Sequence, residues 1–433
     1  MKYFSTRDPE KKLISASTAI VRGLAPDGGL YVPENFPKLE NFLNLSYNEL
    51  ALKILKLYLS DFLEAELNSS IKSAYEDYQP VKINGQYLEL FHGKTLAFKD
   101  VALQLFPYLL TTALAKNNID KTAVILVATS GDTGSAVLAG MADVPKTKAI
   151  VFYPENGVST VQRLQMTTKK ADNLHVFAIN GNFDDAQTGV KKIFSDEAFK
   201  KQFSDRYFFT SANSINLGRL LPQIVYYFYC YSQLVENRTI QENEAINFVV
   251  PTGNFGNILA GYYAKQMGLP IHKLICATNE NDVLDEFFKT GIYNSDREFH
   301  LTLSPSMDIL ISSNLERLTY QKVDLSTFAS GSATNESTLQ TIRTVYETKN
   351  YLIDPHTAVA KYVYDQYKMA TGDTTYSVIV STASPYKFPE TVVSAVGEKL
   401  TSIPEQIAKL NEQPVIHDQV ISNLEEAIKE ALA

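Results

Sequence analysis

Cysteine is scarce in this chain of 433 residues, which holds only Cys230 and Cys276. Two thiols cannot build a disulfide framework, and these two lack the paired spacing of a zinc site, so a reducing, cytoplasmic setting is expected. Long apolar runs are missing as well. The most hydrophobic stretch, Ile224 to Val235, is too short for a bilayer span and contains Ser232 and Gln233; it reads as a buried helix, and no membrane partner is expected. Residues Met1 to Asp8 turn polar at once, without the apolar segment that a secretory signal needs. No long Lys/Arg cluster interrupts the balance of 40 basic against 48 acidic side chains, net charge -8, which argues against nucleic acid as a partner. His175, His272, His300, His356 and His417 show no metal-ligand spacing, so no catalytic metal is expected. Internal repeats and low-complexity segments are absent too.

What is present is ordinary globular composition, 45% hydrophobic and 20% charged. A chain of this length is expected to form two or three domains with cores large enough to bury an active site. From Tyr47 to Tyr78 apolar residues recur at helical spacing, which predicts a helical N-terminal unit. Pro80 and the Asn84-Gly85 turn signal place a boundary behind it. Short β-branched runs then alternate with helical patterns: Val124 to Val127, Ala149 to Phe152, Val176 to Ile179, Phe248 to Val250, Leu274 to Ala277 and Ser377 to Val380. That alternation predicts an α/β fold with mainly parallel sheets, whose ligands gather where loops leave the C-terminal ends of strands. The polar segment Asn237 to Glu244 reads as a surface connection between two halves. The expected units are 1–80, 81–215 and 216–433.

Three loops built from Gly, Ser, Thr and Asn directly follow such strand runs. Thr129-Ser130-Gly131-Asp132-Thr133-Gly134-Ser135 leads into a helix starting near Gly134, and the N–H groups of a helix start suit a carboxylate or phosphate. Its alternative reading is an ordinary turn capped by Asp132 or Thr133. Pro251-Thr252-Gly253-Asn254-Phe255-Gly256-Asn257 lets backbone amides close on a phosphate, or is a tight turn that needs positive φ. It is neither a P-loop nor Gly-x-Gly-x-x-Gly. In Ser381-Thr382-Ala383-Ser384-Pro385-Tyr386-Lys387-Phe388 a hydroxyl can meet a ligand ring nitrogen or cap the next helix. A fourth stretch, His92-Gly93-Lys94-Thr95-Leu96-Ala97-Phe98-Lys99-Asp100, sets Lys99 among Leu96, Ala97, Phe98, Val101 and Ala102. Most lysines are solvated surface cations, but one in an apolar pocket has a lowered pKa, and its neutral amine can build a Schiff base.

These residues resemble the threonine synthase family of fold-type II pyridoxal-phosphate enzymes. The matches run from Thr18-Ala19-Ile20-Val21-Arg22-Gly23-Leu24-Ala25-Pro26-Asp27-Gly28-Gly29-Leu30-Tyr31-Val32-Pro33 through the Lys99 segment to the loops at Ser130, Gly253 and Thr382. Pro26-Asp27-Gly28-Gly29-Leu30 and Ser130-Gly131-Asp132-Thr133-Gly134 resemble this family more than tryptophan synthase β or cysteine synthase. The resemblance implies two α/β cofactor domains, tryptophan synthase β-like, plus a helical N-terminal domain. It implies that Lys99 carries pyridoxal 5'-phosphate as a Schiff base and that Gly253, Asn254, Phe255, Gly256 and Asn257 hold the cofactor phosphate. Thr382 would meet the pyridine nitrogen, and Asp132 with Thr129, Ser130, Gly131 and Thr133 would lie near the cofactor hydroxyl and the substrate carboxylate. Asn213, Asn216 and Arg219 would bind the phosphate that leaves the substrate, the alternative being a capped helix start with an exposed arginine. Lys94 is placed on the substrate side, with a solvated cation as its alternative; His92 is read as satisfying a loop hydrogen bond, and Ser384 takes no catalytic role. The implied reaction is a carbon–oxygen lyase step, O-phospho-L-homoserine and water giving L-threonine and phosphate, the last step of threonine biosynthesis. Its rivals are a phospho-lyase releasing 2-oxobutyrate and a non-enzymatic protein binding an amino acid or a phosphate compound. Relatives imply a monomer or a homodimer.

Overall fold

The computed structural model describes residues 1–181 and 183–433. Among the described residues the strands are β1 (Tyr3–Ser5), β2 (Tyr31–Pro33), β3 (Lys82–Asn84), β4 (Tyr87–Glu89), β5 (Thr122–Ala128), β6 (Thr147–Pro154) and β7 (Leu174–Ile179). They continue with β8 (Tyr207–Ser211), β9 (Ile246–Pro251), β10 (Ile271–Thr278), β11 (Phe328–Ser332), β12 (Ser377–Ser381) and β13 (Val420–Ile421). All six runs expected to be strands lie inside β5, β6, β7, β9, β10 and β12.

One sheet has the order β13-β7-β6-β5-β8 and is parallel throughout. The other has the order β11-β10-β9-β12-β4-β3 and is parallel except for the β3–β4 hairpin. Every residue of β9 is buried, as are Ala123 to Ala128 of β5. Helices on both faces of a parallel sheet exclude water from both sides, hence the unbroken apolar runs. The sheets do not follow contiguous segments. The hairpin at 82–89 joins the sheet made mainly from 246–381, and β13 joins the sheet made mainly from 122–211.

The N-terminal helical unit contains two helices over the expected stretch, Tyr47–Tyr58 and Glu64–Tyr75. Ser46 opens the first with a capping box to Glu49, and Leu59 leaves helical geometry at ψ 54°. Their apolar faces (Leu50, Ile54, Leu55, Leu67, Ile71) share one core with Val101, Leu109, Tyr226 and Ile258 near the large sheet. The helix Pro222–Glu236 contains the apolar run from Ile224 and is buried along most of its length. Asn237 to Glu244 links that helix to β9 and is exposed apart from Ile240. Among the described residues no helix is long and apolar enough to cross a membrane.

Candidate active site

Lys99 is delivered by a loop that leaves β4 and is zipped onto the loop leaving β12. Leu90 N donates to Ser381 O at 3.0 Å, Phe98 N to Thr382 O at 2.8 Å and Ser384 N to Leu96 O at 3.0 Å, and Ala97 bridges Ala383. Because β4 and β12 are parallel neighbours, both loops emerge at the same sheet end. Inside the Lys99 loop the buried Asp100 carboxylate accepts from Thr95 N at 2.7 Å and Thr95 Oγ1 at 2.8 Å. A Cβ on Gly93 would lie 2.5 Å from Asp100 Oδ2, so only glycine fits there. Burial pushes the Asp100 carboxyl up to about 6, against the pull of the Thr95 hydrogen bonds. Lys99 opens the helix Lys99–Leu103 and is half-buried. Burial lowers its amine to about 8; Asp132 opposes the shift, and the cations Arg219 and Lys387 add to it. An appreciable fraction is then the neutral nucleophile near neutral pH.

Beyond β5, Thr129 Oγ1 accepts from Gly131 N and Gly134 N, both at 2.9 Å, which shapes the turn into the helix Asp132–Met141. Gly131 is the N-cap at φ 120°, and its missing Cβ leaves room for the Gln162 side chain, 2.4 Å from where it would stand. Neither Asp132 nor Thr133 serves as the cap. Asp132 is buried and accepts from Gln162 Nε2 at 2.9 Å and Ser306 Oγ at 3.1 Å, while Lys387 Nζ lies 2.7 Å from its Oδ1. Burial alone would raise its pKa, but Lys387, Lys99 and His356 hold it well below the usual carboxylate range. Ser130 and Thr133 are half-buried beside it.

The glycine loop after β9 is clamped by the segment 302–314. Ser312 Oγ donates to Gly253 O at 2.7 Å and Asn314 Nδ2 to Asn254 O at 3.0 Å; behind Asn314, the buried Arg317 bonds Tyr31 O, Asn314 Oδ1 and Ile215 O. Gly253 and Gly256 are outside the positive-φ region; Phe255 occupies it, at 62°. Among the described residues Phe255 and Leu96 are the two apolar side chains in that costly conformation, and they sit in the loops after β9 and β4, which leave the same end of the sheet. Gly253 is required by close approach instead, since a Cβ would stand 2.8 Å from Ser306 O. The helix Gly256–Gln266 starts here, with Asn257 Oδ1 accepting from Tyr226 OH at 2.6 Å and Tyr227 OH at 2.7 Å. Asn257 Nδ2 is buried without a partner.

Arg219 is buried rather than exposed. Its Nη1 donates to Ala212 O, its Nε has no partner, and among the described residues no carboxylate pairs with it. Burial brings the guanidinium down to about 10, with Tyr226 opposing. Asn216 is spent otherwise. Its Nδ2 donates to Ile20 O at 2.9 Å and Ser211 O at 3.1 Å, and its Oδ1 caps Gly218 N at 2.9 Å, so the expected substrate ligand acts as the helix cap beneath Arg219. Asn213 is half-buried, and Lys94 is exposed at the rim. His92 Nε2 meets Glu89 Oε2 at 2.8 Å, a loop hydrogen bond. Ser384 caps the turn Pro385–Lys387. Thr382 is buried, and among the described residues its hydroxyl makes no hydrogen bond. Lys387, Gln162 and Ser306 belong to the site but were not singled out from the sequence; only Lys387 carried a signal, standing between Pro385 and Phe388 as Lys99 stands among apolar neighbours.

A bound pyridoxal phosphate fits this arrangement. The loops after β4, β9 and β12 leave one end of the sheet; they carry an amine kept partly neutral, a glycine cradle at a helix start with a free amide N–H₂, and a free hydroxyl, and the buried guanidinium of Arg219 acts on that amine. Residues 87–382 match the family model of pyridoxal-phosphate dependent enzymes, and fold and site together define a fold-type II member of that class. Residues 2–75 match the threonine synthase N terminus and 357–432 the threonine synthase C-terminal region. The chain is 37% identical to threonine synthase of Saccharomyces cerevisiae over 94% of this chain and 93% of that protein. It is 38% identical to threonine synthase of Pseudomonas aeruginosa, over 95% and 94%. The crystal structure of PLP-bound threonine synthase from Brucella melitensis superposes with a TM-score of 0.89 at 36% identity, covering 100% of this chain and 98% of that one. The chain belongs to the threonine synthase family.

Proposed function

We propose that this protein converts O-phospho-L-homoserine and water into L-threonine and phosphate, by elimination of phosphate from Cγ and hydration at Cβ. The observation that carries the reading is the pairing of an apolar-loop lysine, Lys99, with a buried guanidinium, Arg219, that lacks a counter-anion. When bound, pyridoxal phosphate supplies an electron sink conjugated to the substrate Cα. Lys99 would hold it covalently through Nζ, and that amine, when free, would take the Cα proton and then act at Cβ. The amides of Gly253 to Asn257, with Asn257 Nδ2, hold the cofactor phosphate. The Thr382 hydroxyl meets the pyridine nitrogen; being neutral, it cannot stabilise a protonated ring as a carboxylate would, which favours side-chain replacement over transamination. Ser130, Thr133 and the amides around them orient the substrate carboxylate, while Asp132, its oxygens already engaged, contributes charge. Asn213 and Arg219 hold the leaving phosphate, and Lys94 guides the dianion from the rim. The two sheets, closing on the site between them, keep bulk water from the intermediates until Cβ is hydrated. The buried free thiols Cys230 and Cys276 support a reducing, cytoplasmic setting, where the protein acts as a monomer or homodimer.

The test is a spectrum of the purified protein followed by product analysis with O-phospho-L-homoserine. Threonine and phosphate should form one to one by a protein that carries a visible cofactor band. A colourless protein with no turnover, or 2-oxobutyrate and ammonia as the main products, would refute the proposal.

A further inference from the structure

Lys387 is one of the most enclosed charges in the molecule, with none of its side chain exposed and only 3% of that of its partner Asp132. It sits on the turn Pro385–Lys387 after β12. Its Nζ donates to Thr95 O at 2.8 Å and lies 2.7 Å from Asp132 Oδ1. Thr95 belongs to the loop that delivers Lys99, and Asp132 opens the helix after β5, so one ammonium joins three segments that meet at the site. Surface ion pairs contribute little, but breaking a buried one by removing a single partner strands a charge.

The surroundings give this pair a chemical consequence. Lys99 feels one anion, Asp132, and two cations, Arg219 and Lys387. The other ionisable groups that act on the pair are Asp100 and His356. His356 Nε2 accepts Ser306 N–H at 3.2 Å, and its Nδ1 lies 2.7 Å from Asp354 Oδ1. Asp132 is then the anion that can capture the Lys99 amine as an ammonium, and an ammonium cannot attack the cofactor aldehyde. Gln162 and Ser306 donate to Asp132 but bring no charge. Among the described residues Lys387 is the cation that meets it at ion-pair distance.

We propose that Lys387 is a positioning residue that engages Asp132 and thereby keeps it from capturing the amine of Lys99. This rests on Lys99 holding the cofactor.

The test follows pyridoxal phosphate uptake by the full-length protein stripped of cofactor. Uptake rate is measured against pH by absorbance, and the attachment point by borohydride reduction and peptide mass. In the wild-type protein uptake should rise through a midpoint near 8, with the label on Lys99. Lys387→Met should move the midpoint up by about one pH unit, since an unopposed carboxylate stabilises the ammonium, and slow uptake at pH 7 roughly tenfold. Asp132→Asn should move it down by a similar amount, and the double variant should return close to wild type. A damaged fold would not produce shifts of opposite sign that cancel. If Lys387→Met does not fold, the downward shift in Asp132→Asn and its reversal in the double variant carry the test. An unchanged midpoint in the single variants, or shifts of the same sign, would overturn the proposal. A wild-type label on a residue other than Lys99 would instead overturn the functional reading beneath it, and that result appears before any variant is made.

Discussion

Replacing Arg219 by Met separates a site arginine from a structural one, because the two roles predict opposite changes in stability and catalysis. Among the described residues no carboxylate pairs with the buried guanidinium and its Nε has no partner, and burial lowers it from an ordinary 12.5 to about 10. At 1.36 kcal/mol per pKa unit, keeping it charged inside the empty protein costs on the order of 3 kcal/mol. Methionine keeps most of the aliphatic packing and gives up the charged hydrogen bond to Ala212 O, worth about 1.5–3 kcal/mol. Without ligands the variant should therefore melt no lower than wild type, as when a buried charge is replaced by a well-packed apolar side chain. Catalysis should fall. Loss of a charged hydrogen-bond partner of the leaving phosphate costs about 1.5–3 kcal/mol, which is a fall of roughly ten- to a hundredfold in kcat/KM for O-phospho-L-homoserine. Cofactor content should stay normal. A thermal-shift assay on the stripped protein and initial-rate kinetics on the loaded one read both quantities. A lower melting temperature with unchanged kinetics would refute the reasoning, since it would make Arg219 a structural strut.

Lys99→Ala should abolish both turnover and covalent cofactor attachment, measured by phosphate release and by absorbance; normal activity would sink the assignment. Gly253→Ala places a Cβ 2.8 Å from Ser306 O, so it should weaken pyridoxal phosphate binding by about ten- to a hundredfold, the equivalent of 1–3 kcal/mol of overpacking, in equilibrium dialysis. Asn216→Ala loses three buried main-chain hydrogen bonds and should destabilise the protein by about 2–3 kcal/mol in urea, with KM changed by less than about threefold; a large rise in KM without loss of stability would restore Asn216 as a ligand.

The strands that were legible from sequence are those with continuous β-branched cores, such as Val124 to Val127 in β5 and Phe248 to Val250 in β9. β11, Phe-Ala-Ser-Gly-Ser, carries one bulky residue and becomes a strand only because β10 offers it a parallel edge. The exchange that puts β4 beside β12 and β13 beside β7 is set by long-range pairing, which no local pattern records. The loops of the candidate site were legible where they follow a strong strand, as at Gly253 and Thr382. The groups brought to them from elsewhere were not: Gln162 lies on a helix without any motif, and Ser306 on a single 3-10 turn. Asn213, Asn216 and Arg219 looked alike as one polar cluster, and only burial and bonding separate the cap, Asn216, from the unpaired cation, Arg219.

The most direct measurement of the central claim is the labelling pattern of the product formed from O-phospho-L-homoserine in deuterium oxide. Loss of phosphate from Cγ leaves a carbon that must take a proton from a solvent-exchanged donor, and under the proposed function Lys99 removes and returns the Cα proton. The account predicts threonine bearing deuterium at both Cα and Cγ, formed in equal amount to phosphate. Threonine without deuterium at Cγ, or 2-oxobutyrate and ammonia in its place, would contradict it.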